Sequence, residues 1–417
     1  MLNTVGILFL ILFCIAFFWD LILTWLNLRH MRKGEAALPE VFQAHIDART
    51  YQKSIAYNRD SEQFGVIHGI AGAVLLIVLV YFGGFETIDR YARSFSPQGY
   101  YSPAFIFAGV LFLIKFVIDL PFTLYDTFVL EARYDFNRTT PRLFVVDLIK
   151  SLALTVVLGV PLYLGILWFM IKAGDYWWLW TWLFLEGFQI FMLVIYPTWI
   201  APLFNKFTPL EEGTLKEGIN SLVQKAHFPV ENVFIMDGSK RSSHSNAFFT
   251  GLGKKKRIVL FDTLVAQMDA PKILSVLAHE IGHYKLNHIK KYMLAGAGWS
   301  LLGLYFLSVL IDYEPFYHGL GFSHPSNYAA LIIFSLCAST ISVFFKPLLS
   351  ALSRRHEYAA DRFAVKVTES PRSMAEVIAL LTKENLSNLN PHPWYSFFHY
   401  SHPAPVERVQ AIFASSP

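Results

Sequence analysis

Seven long apolar stretches, separated by polar segments of uneven length, dominate the pattern along the chain. They run roughly over residues 5–26, 65–84, 103–121, 148–171, 177–200, 293–311 and 327–350. Each is long enough to cross about 30 Å of hydrocarbon as a helix. Between the fifth and the sixth the pattern changes. Leu215 to His227 has helical apolar spacing, and Asn232 to Met236, Ser245 to Thr250 and Arg257 to Phe261 read as short strands, the last two around a Gly251-Leu252-Gly253 turn. From Pro271, which suits the first turn of a helix, the helical spacing returns. The pattern predicts a mainly α membrane protein of seven transmembrane helices with a small inserted α+β unit. Residues 1–203 hold the first five spans, 204–292 the α+β unit, 293–350 spans six and seven, and 351–417 a C-terminal segment.

Composition agrees. Of 417 residues, 54% are hydrophobic and 16% charged, too apolar for an ordinary soluble domain. The net charge of +4 comes with no basic stripe interleaved with aromatics, which excludes a nucleic-acid groove. Cys14 and Cys337 both fall in apolar runs and read as small buried hydrophobes, not a disulfide. The run from Val5 to Leu26 lacks a basic leader and a small-residue cleavage site, so it reads as a retained first span.

Basic loops alternate with basic-poor ones. Arg29, Arg32, Lys33, Arg49, Lys53 and Arg59 follow the first span, and no Lys or Arg lies between Asp312 and Asn327. The positive-inside rule then places the N-terminus outside, and residues 204–292 and the C-terminus in the cytoplasm. Asp20, Lys115, Asp119, Lys150, Glu186 and Lys346 lie within or at the ends of spans. They either snorkel to the interface or face a hydrated chamber; Lys115 and Asp119, four apart, can pair.

The helix after Pro271 contains Ala278-His279-Glu280-Ile281-Gly282-His283. Residues four apart share a helix face, so the two imidazoles can bind one tetrahedral Zn2+ at about 2.0–2.1 Å. Glu280, on the flank, can reach a water at that metal and take its proton as general base. Leu274, Val276, Leu277 and Ile281 would bury one side of the helix. Gly282 is expected to leave room near the metal. A catalytic zinc needs a third protein ligand and an open fourth position. Downstream of the seventh span, Glu357 and Asp361 lie four apart in a segment of helical composition. One carboxylate could ligate zinc and the other hold a ligand histidine. A solvated face of charge pairs would give the same spacing.

Beyond this motif, the chain resembles the type I CAAX prenyl endopeptidases, integral-membrane zinc proteases. The resemblance rests also on Leu120–Glu131, Phe136-Asn137-Arg138-Thr139-Thr140 and Tyr196–Phe207. It implies that Glu357 is the third ligand, with Asp361 behind a ligand histidine. It makes Ser245-Asn246-Ala247-Phe248-Phe249 resemble the family's edge strand, which pairs with the substrate backbone; Asn246, Ala247 and Phe248 are the expected contacts. The stretch Ser401–Arg408 resembles a closing motif in which His402 stabilises the oxyanion and Arg408 holds the substrate or the site. His288, His356 and His399 are left out of the ligand set. The implied fold is a seven-helix barrel around a water-filled chamber.

The resemblance implies a zinc endopeptidase with one Zn2+ per chain that removes the last three residues from prenylated Cys-a-a-X C-termini; the chain is expected to act as a monomer. A membrane-protein quality-control protease would use the same site. A transporter or a scaffold is the reading from another class. Against it stand Glu280, which a structural zinc does not need, and the lack of an internal repeat.

Overall fold

A computed structural model describes residues 3–34, 38–96, 99–250 and 256–414. Among them, seven helices are long and apolar enough to cross a membrane: Thr4–Arg32, Ala48–Tyr81, Tyr101–Arg133, Pro141–Lys172, Gly174–Phe204, His288–Leu310 and Asn327–Thr368. Several outrun their apolar stretches. The second begins well before its apolar part, where Asp47 caps it by accepting from the Thr50 backbone N–H. The seventh continues past the apolar run as one 42-residue helix, so the Glu357/Asp361 segment is its extension.

Only 6–28% of the residues in the most apolar window of each span are buried. Most of the surface of each span therefore faces either lipid or an interior space between the helices. The charged side chains embedded in the spans, which lipid would not tolerate alone, have polar partners. Lys115 pairs with Asp119, and His68 of the second span stands 3.2 Å from the same carboxylate. Lys346 meets His399 Nδ1 at 2.8 Å, and Ser300 donates to Glu186 at 3.0 Å. Cys14 and Cys337 are free thiols.

Among the described residues four strands form the inserted sheet: β1 (Phe207–Pro209), β2 (Asn232–Met236), β3 (Ala247–Thr250) and β4 (Arg257–Phe261), in the order β1-β2-β4-β3. β2 and β4 run parallel, and the other pairs are antiparallel. β3 starts at Ala247, two residues later than its sequence pattern suggests. Asn246 precedes the strand, its side chain accepting from the Ala247 N–H at 2.8 Å and its carbonyl from the Phe261 N–H at 3.1 Å. The glycine turn at 251–253 lies outside the described residues.

The sheet packs on the helix Ala270–Lys285, capped by Asp269, whose carboxylate accepts from the Lys272 N–H. Ile273, Leu277 and Ile281 recur every four residues on this helix and are buried with Ile258 and Leu260 of β4 and Ile219. That stripe is the expected core face of an amphipathic helix, each such side chain contributing about 1.5–3 kcal/mol. It leaves the opposite side, with His279, Glu280 and His283, turned toward the seventh span.

Candidate metal centre and active site

His279 and His283 sit one turn apart, and their Nε2 atoms are 3.1 Å from each other. From the long seventh helix Glu357 reaches across to both, Oε2 lying 3.4 Å from His279 Nε2 and Oε1 3.2 Å from His283 Nε2. Atoms bound to one tetrahedral zinc at 2.0–2.2 Å stand about 3.3–3.6 Å apart, close to the spacings here. Glu357 is 3% exposed, and its Oε2 accepts no well-directed hydrogen bond. A buried carboxylate whose two oxygens face the two imidazole Nε2 atoms is what a metal ligand looks like before the ion is counted. Among the described residues these three form the one His/Cys/Asp/Glu group able to hold a metal ion.

Close approach of the two helices makes this possible. Gly282 does not open space at the metal; a Cβ there would lie 3.1 Å from Ala360 Cα and 3.2 Å from Phe363 Cβ. The glycine instead lets the ligand helix seat against the seventh span, one turn from Glu357.

Around the ligands stands a layer of partners. His279 Nδ1 is 2.7 Å from Asp361 Oδ1, and Arg408 grips the same carboxylate with Nη2 at 2.6 Å and Nε at 2.9 Å. Such a carboxylate fixes the imidazole tautomer, leaving Nε2 for the metal. Burial pulls the His279 pKa down, but Asp361 and Glu357 beside it prevail and push it up to about 9. The Nδ1 of His283 lies 3.1 Å from His288 Nδ1, and His288 stacks on His356, whose own Nδ1 meets the Tyr292 hydroxyl at 2.9 Å. His288 and His356 are thus behind a ligand, not in the ligand set. His399 sits apart with Lys346 and Asp20.

Glu280 lines a cavity of about 680 Å³ with His279, Glu357, His402 and Arg408. Burial pushes its carboxyl above the ordinary carboxylate range. His402 Nδ1 lies 2.8 Å from Glu357 Oε2. Asn246 and Ala247 border the same cavity, and no described strand pairs with the outer edge of β3. Phe248 points elsewhere, into a smaller cavity with Phe234 and Arg257. A metal triad, a carboxylate with raised pKa and a vacant strand edge around one cavity suit hydrolysis of an extended peptide.

Residues 27–206 match the family described as CAAX prenyl protease N-terminal, five membrane helices, and residues 209–415 match peptidase family M48. A CAAX prenyl protease 1 homolog of Oryza sativa is 36% identical, with 93% of each chain covered. The chain belongs to peptidase family M48. CAAX prenyl protease 1 of Saccharomyces cerevisiae is 35% identical over 93% of this chain and 91% of its own. The crystal structure of S. mikatae Ste24p superposes with a TM-score of 0.89 at 33% identity, covering 98% of this chain and 99% of that one. An M48 member with this membrane region is an integral-membrane metallopeptidase with a chambered fold.

Sequence reasoning missed His288 as the partner of His283, because a histidine five residues on has no spacing signature. It also missed the polar part of the cavity lining made by Tyr57, Asn58, Asn385 and Asn388.

Proposed function

We propose that the chain is a zinc-dependent endopeptidase that removes the C-terminal tripeptide from prenylated CAAX proteins. The observation that carries this is the His279–His283–Glu357 triangle, two of whose members, His279 and Glu357, line the same cavity as Glu280 and the start of β3, whose outer edge no described strand covers. His279, His283 and Glu357 hold one Zn2+. When bound, the zinc polarises the scissile carbonyl and acidifies water. Glu280 takes the proton of the attacking water and returns it to the leaving amine; its raised pKa suits both steps. His402 donates to the oxyanion, and Asp361 keeps the proton of His279 on Nδ1. Arg408, with both donors on Asp361, holds the site together from beneath and presents its remaining charge to the substrate. Ala247 and Asn246 supply the backbone edge to which the peptide adds as a strand, with Phe248 securing that edge from its other side. Residues 204–292 and the C-terminus face the cytoplasm, the N-terminus faces outside, and the enzyme acts as a monomer.

The test uses protein purified in detergent, metal analysis, and three peptides: a farnesylated Cys-a-a-X peptide, its unprenylated twin and an unrelated unfolded peptide. About one zinc per chain and cleavage favouring the farnesylated peptide are expected, with a loss of about 10²–10⁴ in kcat for Glu280→Gln. Equal cleavage of all three would replace the CAAX substrate with a quality-control role. Bound zinc with no hydrolysis would refute the enzyme reading.

A further inference from the structure

Two residues before Asn246, His244 ties the lead-in of β3 to three other parts of the chain. Its ring stacks on Phe136 at 4.0 Å between centroids and 21° between planes. Its Nδ1 meets Asn385 Oδ1 at 2.9 Å, and its Nε2 lies 3.4 Å from Glu131 Oε2 at the end of the third span. The other Glu131 oxygen accepts from the Tyr57 hydroxyl of the second span at 2.7 Å. Asn385, just past the helix Pro371–Glu384, also accepts from the Ser245 N–H.

The backbone on either side is held by the same neighbours. Asn137 and Ser242 form an antiparallel bridge, flanked by Ser243 N–H to the Phe136 carbonyl at 3.1 Å and Arg138 N–H to the Arg241 carbonyl at 3.0 Å. The His244 carbonyl accepts from Thr263 Oγ1 at 2.9 Å. Asn385 and Tyr57 line the metal cavity themselves. The register of β3 against β4 is fixed by their ladder, but nothing in that ladder sets where the outer edge of β3 stands relative to the membrane helices that form the other wall.

We propose that His244 is a positioning residue: held between Glu131 and Asn385, it fixes the substrate-pairing edge of β3 at the height of the metal centre. This rests on the reading that the substrate adds to β3 as a strand. An edge displaced by about 1 Å no longer meets the peptide backbone along its length, so strand pairing is lost and peptide binding weakens about tenfold, the equivalent of one or two hydrogen bonds. Neither Glu131 nor His244 touches the metal ligands, so the effect falls on substrate placement and not on the metal. Burial lowers the His244 pKa, while Glu131 and Asn385 raise it further than burial lowers it, in keeping with a ring that donates from both nitrogens.

The experiment compares the full chain in detergent with His244→Ala, His244→Gln, Glu131→Gln and the double variant His244→Ala/Glu131→Gln. Metal content, KM and kcat are measured on a farnesylated peptide and on a twin N-methylated at backbone amides upstream of the scissile bond. The wild type is expected to bind the N-methylated twin about tenfold more weakly. His244→Ala is expected to raise KM for the parent peptide about tenfold, with kcat within about twofold, full metal content, and little further loss on the N-methylated twin. His244→Gln, which keeps one donor, falls between, and the double variant is no worse than His244→Ala. If His244→Ala does not fold, Glu131→Gln alone carries the test, with the same KM-selective loss expected. A wild type indifferent to N-methylation sinks strand addition itself. A wild type that discriminates, with His244 and Glu131 variants that keep its KM or lose kcat and metal together, overturns the positioning role alone.

Discussion

Asp361→Asn probes the coupling between the metal centre and the fold most directly. Asp361 is 2% exposed, accepts from Arg408 Nη2 and Nε at 2.6 and 2.9 Å, and stands 2.7 Å from His279 Nδ1. Asparagine keeps the shape but offers one accepting oxygen, and its amide points a donor at a donor. At least one charge-assisted bond is lost, at about 1.5–3 kcal/mol each. Arg408 is also left without its counter-ion, the next carboxylate being Glu357 at 4.0 Å. Breaking a buried pair in this way costs about 3–5 kcal/mol. The loss divides between two readouts. A freed His279 ring weakens metal binding about 10–100-fold, seen by competition with a chromophoric chelator. The uncompensated guanidinium lowers the midpoint of thermal unfolding. Removing that charge in Asp361→Asn/Arg408→Gln should recover part of the stability but none of the metal affinity. Wild-type metal affinity in Asp361→Asn would refute the orienting role; a stability that the second substitution does not improve would refute the charge argument.

Metal affinity should also depend on pH in a defined window. The His279 pKa, pushed up to about 9 in the fold, means that this group favours the metal-free fold fully below about pH 6.5 and loses that contribution as pH rises through 9. The metal must displace that proton, so apparent affinity should rise about tenfold per pH unit up to about 9 and then level off; a flat profile from pH 6 to 9 would contradict the assignment. At Gly282, where even a Cβ would press on Ala360 and Phe363, Gly282→Val should cost about 1–3 kcal/mol by overpacking. It should also weaken metal binding as the two ligand-bearing helices part; unchanged metal affinity would show that the helix contact does not set the ligand spacing.

How much of this was legible in the sequence follows from the range of each signal. Spans and the His279–His283 pair are local: an apolar run and a four-residue spacing are enough. Glu357 is 74 residues beyond His283, and its spacing to Asp361 fits a solvated helix face as well as a ligand pair. Tertiary approach of two helices separates those alternatives, and Gly282 permits that approach. The expectation that Gly282 makes room for metal failed because a helical glycine clears space on its own face, and that face turns to Ala360. β1 was missed for a different reason: three residues ending in Pro209 carry no alternation, and a proline is tolerated there only because β1 is an edge strand.

The turns inside the spans were equally invisible. Widened π-helical turns occupy Asp126–Leu130, Thr155–Gly159 and Tyr196–Ile200. The second carries the carbonyl that Pro161 would strike, four residues back at Val157, and the third contains Pro197. Composition gives the second and third of these segments as uninterrupted membrane helix, and the first lies beyond the apolar stretch 103–121. Their consequence is directional: the turns at 126–130 and 196–200 lie just before the chain leaves a span toward the site, by way of Glu131 and Phe136 in one case and Asn205 in the other. Asn205 and Asp147 both bond Arg241, three residues before His244. The lead-in of β3 is therefore held by spans three and four and by the residue that follows span five, with Tyr57 of span two behind Glu131, and the resemblance that singled out Phe136–Thr140 and Tyr196–Phe207 as motifs marked segments at this junction. Residues with no reach to the metal can still set catalysis if they fix the strand edge on which the peptide must lie.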